Sequence, residues 1–315
     1  MQTWPRLDIV IPAHPKDHHH LCRLLRSLSR QTYPIPQIRV HVITQGNSEE
    51  AKALGIQRSA GEIIGFFCTD NELIEPNFLE VMVDAASHAG IDGAYTARYA
   101  YVKTDASLSR YFALLGANDP VCWWLGKADR LSYMDTMASR TQIRSCNGRL
   151  PSLGDNGFFT RRTLIQPFVT NPTTFCSTMD LWEDIRRTNG TLTFSVVSEV
   201  SLWHRTGECL GDYLRKRWRY VNELYWNKHS IRRWRMVSSL RDWASVVGFA
   251  LASLLVVPQV LVSLRGARSV KDHAWLWHSP LCFALTLLYA CAMLKYLWSS
   301  LLSTVKRNSP NASSP

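Results

Sequence analysis

The stretch Gly61-Glu-Ile-Ile-Gly-Phe-Phe-Cys-Thr-Asp-Asn-Glu72 constrains this chain more than any other. An apolar run from Ile63 to Phe67, bounded by a polar cluster, reads as a buried strand. A buried strand that delivers carboxylates at its C-terminal end sets them where open α/β sheets bind ligands. Asp70, Asn71 and Glu72 carry oxygen donors, and such a group suits a hard divalent cation, Mg²⁺ or Mn²⁺. The same three residues also suit an acidic turn after a strand. The rest of the chain bears on the choice.

Short strands and helices alternate around this stretch. Strands are predicted over residues 7–12, 38–43 and 61–67, and helices over 21–29, 49–58 and 77–86. Alternation in units this short predicts an α/β fold with a mostly parallel sheet covered on both faces. Residues 95–165 are less periodic. Their Trp- and Asp-rich part, 118–130, is expected to form a loop or helices over the ligand edge. Trp123 and Trp124 suit core or interface packing, with stacking on a sugar or base, or contact with lipid, as the alternatives. His18, His19 and His20 are adjacent, so on a helix they point in different directions and read as surface.

The 315 residues carry a formal net charge of +11, unevenly placed. Arg215, Lys216, Arg217, Arg219, Lys228, Arg232, Arg233, Arg235 and Arg241 face one opposing acid, Glu223. Such a run can bind nucleic acid, acidic lipid or a phosphorylated substrate. The adjoining segment favours lipid over nucleic acid, because residues 243–264 contain no charge and are long enough to cross a bilayer. A second apolar segment, 280–302, is interrupted at Lys295, which must snorkel or pair. Trp275, Trp277, Tyr296 and Trp298 suit interfacial anchors. The basic flank places residues before about 242 in the cytoplasm. The loop 265–279 is also basic, which leaves a re-entrant or in-plane hairpin open. Residues 1–30 hold no long apolar core of a signal peptide. Eight cysteines without a CxxC pair fit reduced thiols. Asn311-Ala-Ser313 matches a glycosylation sequon, but on the cytoplasmic side it is not expected to be used. The expected divisions are 1–220, a basic juxtamembrane segment 221–242, two membrane-embedded helices within 243–302, and an unstructured tail 303–315.

Over residues 5–220 the order of motifs resembles the GT-A-fold glycosyltransferases of family 2. Ile9-Val-Ile-Pro-Ala-His14 is similar to the family's opening strand, and Ser27-Leu-Ser-Arg-Gln-Thr-Tyr-Pro34 to its Gln-Thr-Tyr-Pro signature. Leu54-Gly-Ile56 and Ser59-Ala-Gly-Glu62 come next, and Cys68-Thr-Asp70 stands in the DxD position. The segment Gly154-Asp-Asn-Gly-Phe-Phe-Thr-Arg-Arg162 is similar to the one facing the donor sugar. Asp180, rather than Asp184, matches the catalytic acid before Gly190. His204 and Leu214-Arg-Lys-Arg-Trp-Arg-Tyr220 match the family's later His and diphosphate-closing segment. Five positions depart from the pattern. Cys68 replaces the first DxD acid, Thr44 and Gln45 replace the acids after the second strand, Met179 replaces a Glu, and Leu214 replaces the Gln of a processive synthase's QxxRW.

The resemblance implies a membrane-anchored inverting transferase that uses a nucleotide-sugar donor and a lipid-linked or glycan acceptor. Asp70 and His204 would ligate the metal, with Asn71 and Glu72 as possible helpers. Pro12, Ala13, His14, Asn156, Gly157, Arg217 and Arg219 would contact the donor, the two arginines clamping its diphosphate. Asp180 would be the general base, with Asp155 as the alternative. Each has a plainer reading: a strand-end histidine for His204, a turn amide for Asn156, lipid-facing charge for the arginines. The missing acids also fit a non-catalytic membrane scaffold. Nucleotidyl transfer would need a Gly-rich basic signature beside the first strand, and Pro12-Ala-His-Pro-Lys16 does not supply it.

Overall fold

The computed structural model describes residues 4–135, 141–153, 156–171, 177–207 and 209–308. Strand β1 (Leu7–Pro12) shows how the fold is organised. Leu7, Ile9 and Ile11 enter one apolar core and Val10 the other, because successive strand residues point to opposite faces. Both faces are therefore covered, as a near-continuous apolar strand requires. Helix α1 (His18–Leu28) and strand β2 (Ile38–Ile43) come after it. Next are helix α2 (Ser48–Arg58), opened by an Asn47–Glu50 capping box, and strand β3 (Ile63–Phe66). After them lie β4 (Asn71–Leu73), α3 (Phe78–Ser87), β5 (Gly93–Thr96), β6 (Tyr99–Ala100), α4 (Ser107–Leu115) and α5 (Pro120–Trp124). The α/β part continues with β7 (Gln142–Cys146), β8 (Phe158–Arg161), α6 (Arg162–Ile165), α7 (Thr178–Asn189), β9 (Leu192–Val197), β10 (Leu202–His204) and α8 (Leu210–Tyr220).

The main sheet has seven strands in the order β2-β1-β3-β8-β5-β9-β7. Strands β1, β2, β3, β5 and β9 run one way; β8 and β7 run against them. A three-stranded sheet, β4-β10-β6, lies beyond it. Each of its strands comes closely after β3, β9 or β5, so it is built at the carboxyl edge of the main sheet. Only part of the alternative acidic turn holds: Asp70 lies in a turn, but Asn71 and Glu72 belong to β4, with Asn71 opposite His204 of β10.

The Gln-Thr-Tyr-Pro signature latches α1 to the start of α3. Gln31 donates to Glu75 O at 3.0 Å and accepts from Leu79 N–H at 3.1 Å. The Thr32 N–H reaches Pro76 O at 2.8 Å. The Tyr33 hydroxyl donates to Pro5 O.

The C-terminal part differs from expectation. Helix α9 (Leu240–Leu254) and helix α10 (Val257–Val270) meet at 89°, so the charge-free stretch 243–264 is not one straight helix. Pro258 sits in the first turn of α10, where its missing N–H is harmless, and the residue before a proline disfavours helical dihedrals. Val256 takes φ +63° at the bend. Helix α11 (His278–Asn308) extends into the region expected to be an unstructured tail. Among the described residues, His273–Leu301 is the one straight helical stretch long and apolar enough to cross a membrane, with mean hydropathy 1.7.

These helices are bolted to the α/β part by three buried aspartates. Asp119 accepts from Tyr289 of α11 and lies 3.7 Å from Arg217. Asp242, near the start of α9, pairs with Lys127 at 3.1 Å and with Arg149. Asp272, just before α11, pairs with Lys103 at 2.9 Å and Arg110 at 3.2 Å. Trp275 is fully buried and meets the rings of Tyr111 and Trp123. Trp124 donates to Ser245 O at 3.0 Å and packs on Phe249. Both tryptophans of α5 thus serve interface packing.

Candidate active site

The loop after β3 and the end of β10 bring Asp70 and His204 together at the carboxyl edge of the sheet. Asp70 Oδ1 lies 3.5 Å from His204 Nε2. That Oδ1 is buried and makes no hydrogen bond, and neither does His204 Nδ1. Nε2 of His204 is 2.8 Å from Thr206 Oγ1, and the imidazole packs on Tyr99 at 5.2 Å between ring centroids. Burial acts to raise the Asp70 carboxyl. The charge and contact of His204, then Lys216 and His20, outweigh it and hold the group at about 2. The carboxylate is thus charged, pre-aimed and incompletely satisfied.

Those features fit a divalent cation. Mg²⁺-type ions are held by one or two carboxylates, with substrate phosphates and water completing the shell. Asp70 would supply the carboxylate and His204 an imidazole nitrogen. Among the described residues, no cluster of three or more His, Cys, Asp or Glu side chains would hold a metal unaided. The two helpers expected from the sequence are otherwise engaged. Glu72 pairs with Arg23 at 2.8 Å and Arg205 at 3.7 Å. Asn71 accepts from Cys68 N–H at 2.9 Å and donates to Asn156 Oδ1 at 3.1 Å.

That last bond belongs to a buried ladder behind the loop. Asn156 Nδ2 donates to the Tyr99 hydroxyl at 3.0 Å, which donates to Asp129. Arg130 donates to the Asn156 carbonyl. The Oδ1 and one N–H of the Asn156 amide, expected to contact a sugar, are thus used inside the protein. Gly157 holds φ +62°, and its N–H donates to Phe66 O at 2.8 Å. A side chain there would press on Leu202 Cδ2 at 3.0 Å. Asp155, the alternative base, lies outside the described residues.

Pro12 and Ala13 end β1 half-buried, and Ala13 N–H donates to Ile43 O at 2.9 Å. His14 is exposed and accepts from Lys16 N–H at 3.2 Å. Arg217 does not turn toward Asp70. Its guanidinium donates to Asn118 O and faces Asp119, because Arg217 and Tyr213 are four residues apart on the packed face of α8. Arg219 is exposed. Lys216, read in the sequence as part of the basic run, and His20, read as surface, also act to lower the Asp70 carboxyl, after His204.

Asp180 is completely buried. Its Oδ1 accepts from the N–H groups of Arg233 and Trp234, both at 2.7 Å. Its Oδ2 accepts from Ser177 Oγ at 2.6 Å and lies 3.3 Å from Arg232 Nε. Ser177 in turn caps α7 by accepting from Asp180 N–H at 3.2 Å. In this state Asp180, the expected general base, anchors the 232–234 segment, and both its carboxylate oxygens face partners within the protein. Asp184 is paired with Arg233 at 2.7 Å.

Solved structures give this geometry a context. No protein-family model and no curated protein matches the chain. Among solved structures, the mannosyltransferase PcManGT from Pyrobaculum calidifontis, in complex with GDP-Man and Mn2+, is 13% identical with TM-score 0.53. That alignment covers 94% of this chain and 88% of the other. TarS 1–349 of S. aureus is 11% identical over 87% of this chain and 90% of its own, with TM-score 0.43. Its complex with UDP-GlcNAc is 10% identical, also at TM-score 0.43. The fold is GT-A-like. At 13% identity the PcManGT match establishes architecture alone.

Proposed function

We propose that this chain transfers a sugar from a nucleotide-sugar donor, with the diphosphate held at Asp70 and His204. The observation that carries the reading is the charged Asp70 Oδ1, buried without a hydrogen bond 3.5 Å from Nε2 of His204, an imidazole whose Nδ1 also makes none. PcManGT, similar in fold, was solved with GDP-Man and Mn2+, which supports a cation of that class here. A cation bound at this pair would neutralise charge growing on the leaving diphosphate. Lys216 also acts to keep the Asp70 carboxyl charged. The Asn71–Asn156–Tyr99 ladder, with the Cys68 N–H on Asn71 Oδ1, holds the loop that carries Asp70, so the loop is positioned before substrate arrives.

The finer reading is an inverting family 2 transferase with Asp180 as general base. Inversion needs one carboxylate to take the acceptor's proton. Asp180 can do so only when the 232–234 segment releases it, so the reading includes an opening of that segment when substrates bind. The acceptor is a lipid-linked or cell-envelope glycan, drawn to a membrane-associated enzyme whose catalytic domain faces the cytoplasm. The apolar C-terminal helices and the basic run support this placement.

The test is nucleoside diphosphate release from a panel of GDP- and UDP-sugars with Mn2+, using full-length protein in nanodiscs. Asp70→Ala should abolish release in protein that still folds, as judged by circular dichroism; undiminished release would sink the reading. A second reading, a non-catalytic scaffold, is favoured by Cys68 at the first DxD position and by the ion pairs that occupy Glu72. It predicts no metal-dependent nucleotide binding by calorimetry.

A further inference from the structure

We propose that α9, α10 and α11 form a monotopic membrane-docking layer. Its outer apolar face lies in one leaflet of an anionic bilayer, and no helix crosses. This rests on the reading of the chain as membrane-associated and specifies how the association is made.

The first observation is where α11 lies. His278, at its start, is bonded to Tyr111 of α4 at 2.7 Å. Tyr289 donates to Asp119, which faces Arg217 of α8. Lys295 lies over the Trp218 ring at 5.5 Å, and Tyr296 stacks on Trp226 at 4.6 Å. From residue 278 to 296 the helix advances roughly 27 Å, nearly the thickness of a hydrocarbon core. All of that length runs along the α/β part. If α11 crossed a bilayer there, it would carry the Asp119–Arg217 pair and the basic helix α8 into hydrocarbon with it, at a cost of several kcal/mol per charge.

The second observation is that α9 cannot cross alone. Its 15 residues extend roughly 22 Å, against about 30 Å of hydrocarbon. The chain then turns by 89° into α10, and α9 is held on its inner face through Ser245 and Phe249.

The third observation is what faces outward. Trp243, Val247 and Leu251 recur at helical spacing on α9 and are each more than half exposed. Leu261 on α10 and Leu294 and Trp298 on α11 are likewise more than half exposed. Exposed Arg265, Arg268 and Lys271 border it near the end of α10. An apolar face rimmed by cations matches the boundary of an anionic leaflet, where basic side chains reach the headgroups. A second copy of the chain fits less well, because each copy carries a formal net charge of +11.

Sidedness tests the inference. Full-length protein is placed in preformed POPC/POPG vesicles after Cys22, Cys209 and Cys291 are changed to Ser. Arg58→Cys reports the catalytic domain and Asn308→Cys the end of α11. A membrane-impermeant maleimide added outside should label both sites equally before and after vesicle lysis. Labelling of Asn308→Cys only when Arg58→Cys is protected, or the reverse, overturns the proposal. Val247→Glu paired with Leu251→Glu should reduce co-sedimentation with the vesicles at least tenfold. Unchanged co-sedimentation, or loss of a dimer in light scattering without loss of lipid binding, also overturns it. Catalytically dead protein would label in the same way, so failure here is separate from failure of the proposed reaction.

Discussion

Changing Asp180 to Asn separates an anchor from a catalyst. The amide keeps an oxygen for the Arg233 and Trp234 N–H groups, both at 2.7 Å. It loses the carboxylate charge that faces Arg232 Nε at 3.3 Å, and an NH₂ replaces the acceptor of the Ser177 hydroxyl. Ser177 can rotate to accept, but Arg232, 5% exposed, loses this counter-ion. Removing one member of a buried pair costs roughly 3–5 kcal/mol. The low end applies, because the guanidinium also lies 5.2 Å from the Tyr225 ring centroid and 5.8 Å from that of Trp234. About 3 kcal/mol corresponds to a melting temperature lower by roughly 6 °C or more. Thermal unfolding in detergent, followed by tryptophan fluorescence, measures it. A variant melting within about 1 °C of wild type would refute the anchoring role. Full turnover in that same variant would separately remove Asp180 as the base.

Three further outcomes are expected. Gly266→Ala sets a methyl 2.4 Å from Trp275 Cδ2; it should cost roughly 1–3 kcal/mol and shift the fluorescence of that fully buried indole, and a silent substitution would mean that the contact is loose. Lys216→Ala should weaken donor-nucleotide binding about tenfold in calorimetry with little change in melting, whereas Arg217→Ala should lower melting by breaking the Asp119 contact; the opposite pattern would exchange their roles. The Asp70 carboxyl is held at about 2, below its ordinary 3.8, so its contribution to stability is complete above pH 3.8 and disappears as pH falls through about 2. Asp70→Asn should flatten that part of a urea-unfolding profile, and an unchanged slope would show that the carboxyl is not held low.

The half of the sheet that carries Asp70 was legible because its information is local. The apolar runs of β1 and β3 and the helical spacing of α1 each lie within a dozen residues. The ladder behind the site was not legible, since Asn71 and Asn156 are 85 residues apart and each alone looks like a turn amide. The bonds that close Asp180 were hidden for the same reason: the N–H groups come from 53 and 54 residues downstream. Strand β4, three residues long, is too short to give a periodic signal. Arg217 could have been assigned correctly, because helical spacing from Tyr213 already puts it on the packed face. Pro258 likewise announced a break in the apolar stretch, which length and absence of charge concealed.

The three aspartate bolts also bear on how the protein can exist before it reaches its lipid. Many peripheral proteins hide a greasy surface in water by swinging an element over it. Here α9, the turn before α11 and α11 itself are each pinned through buried charge at Asp242, Asp272 and Asp119. Freeing any of them means separating ions away from water, a slow and costly step. The newly made chain therefore has no readily reached sheltered form. Its fate after synthesis becomes a race between encounter with lipid and encounter with other exposed apolar surfaces.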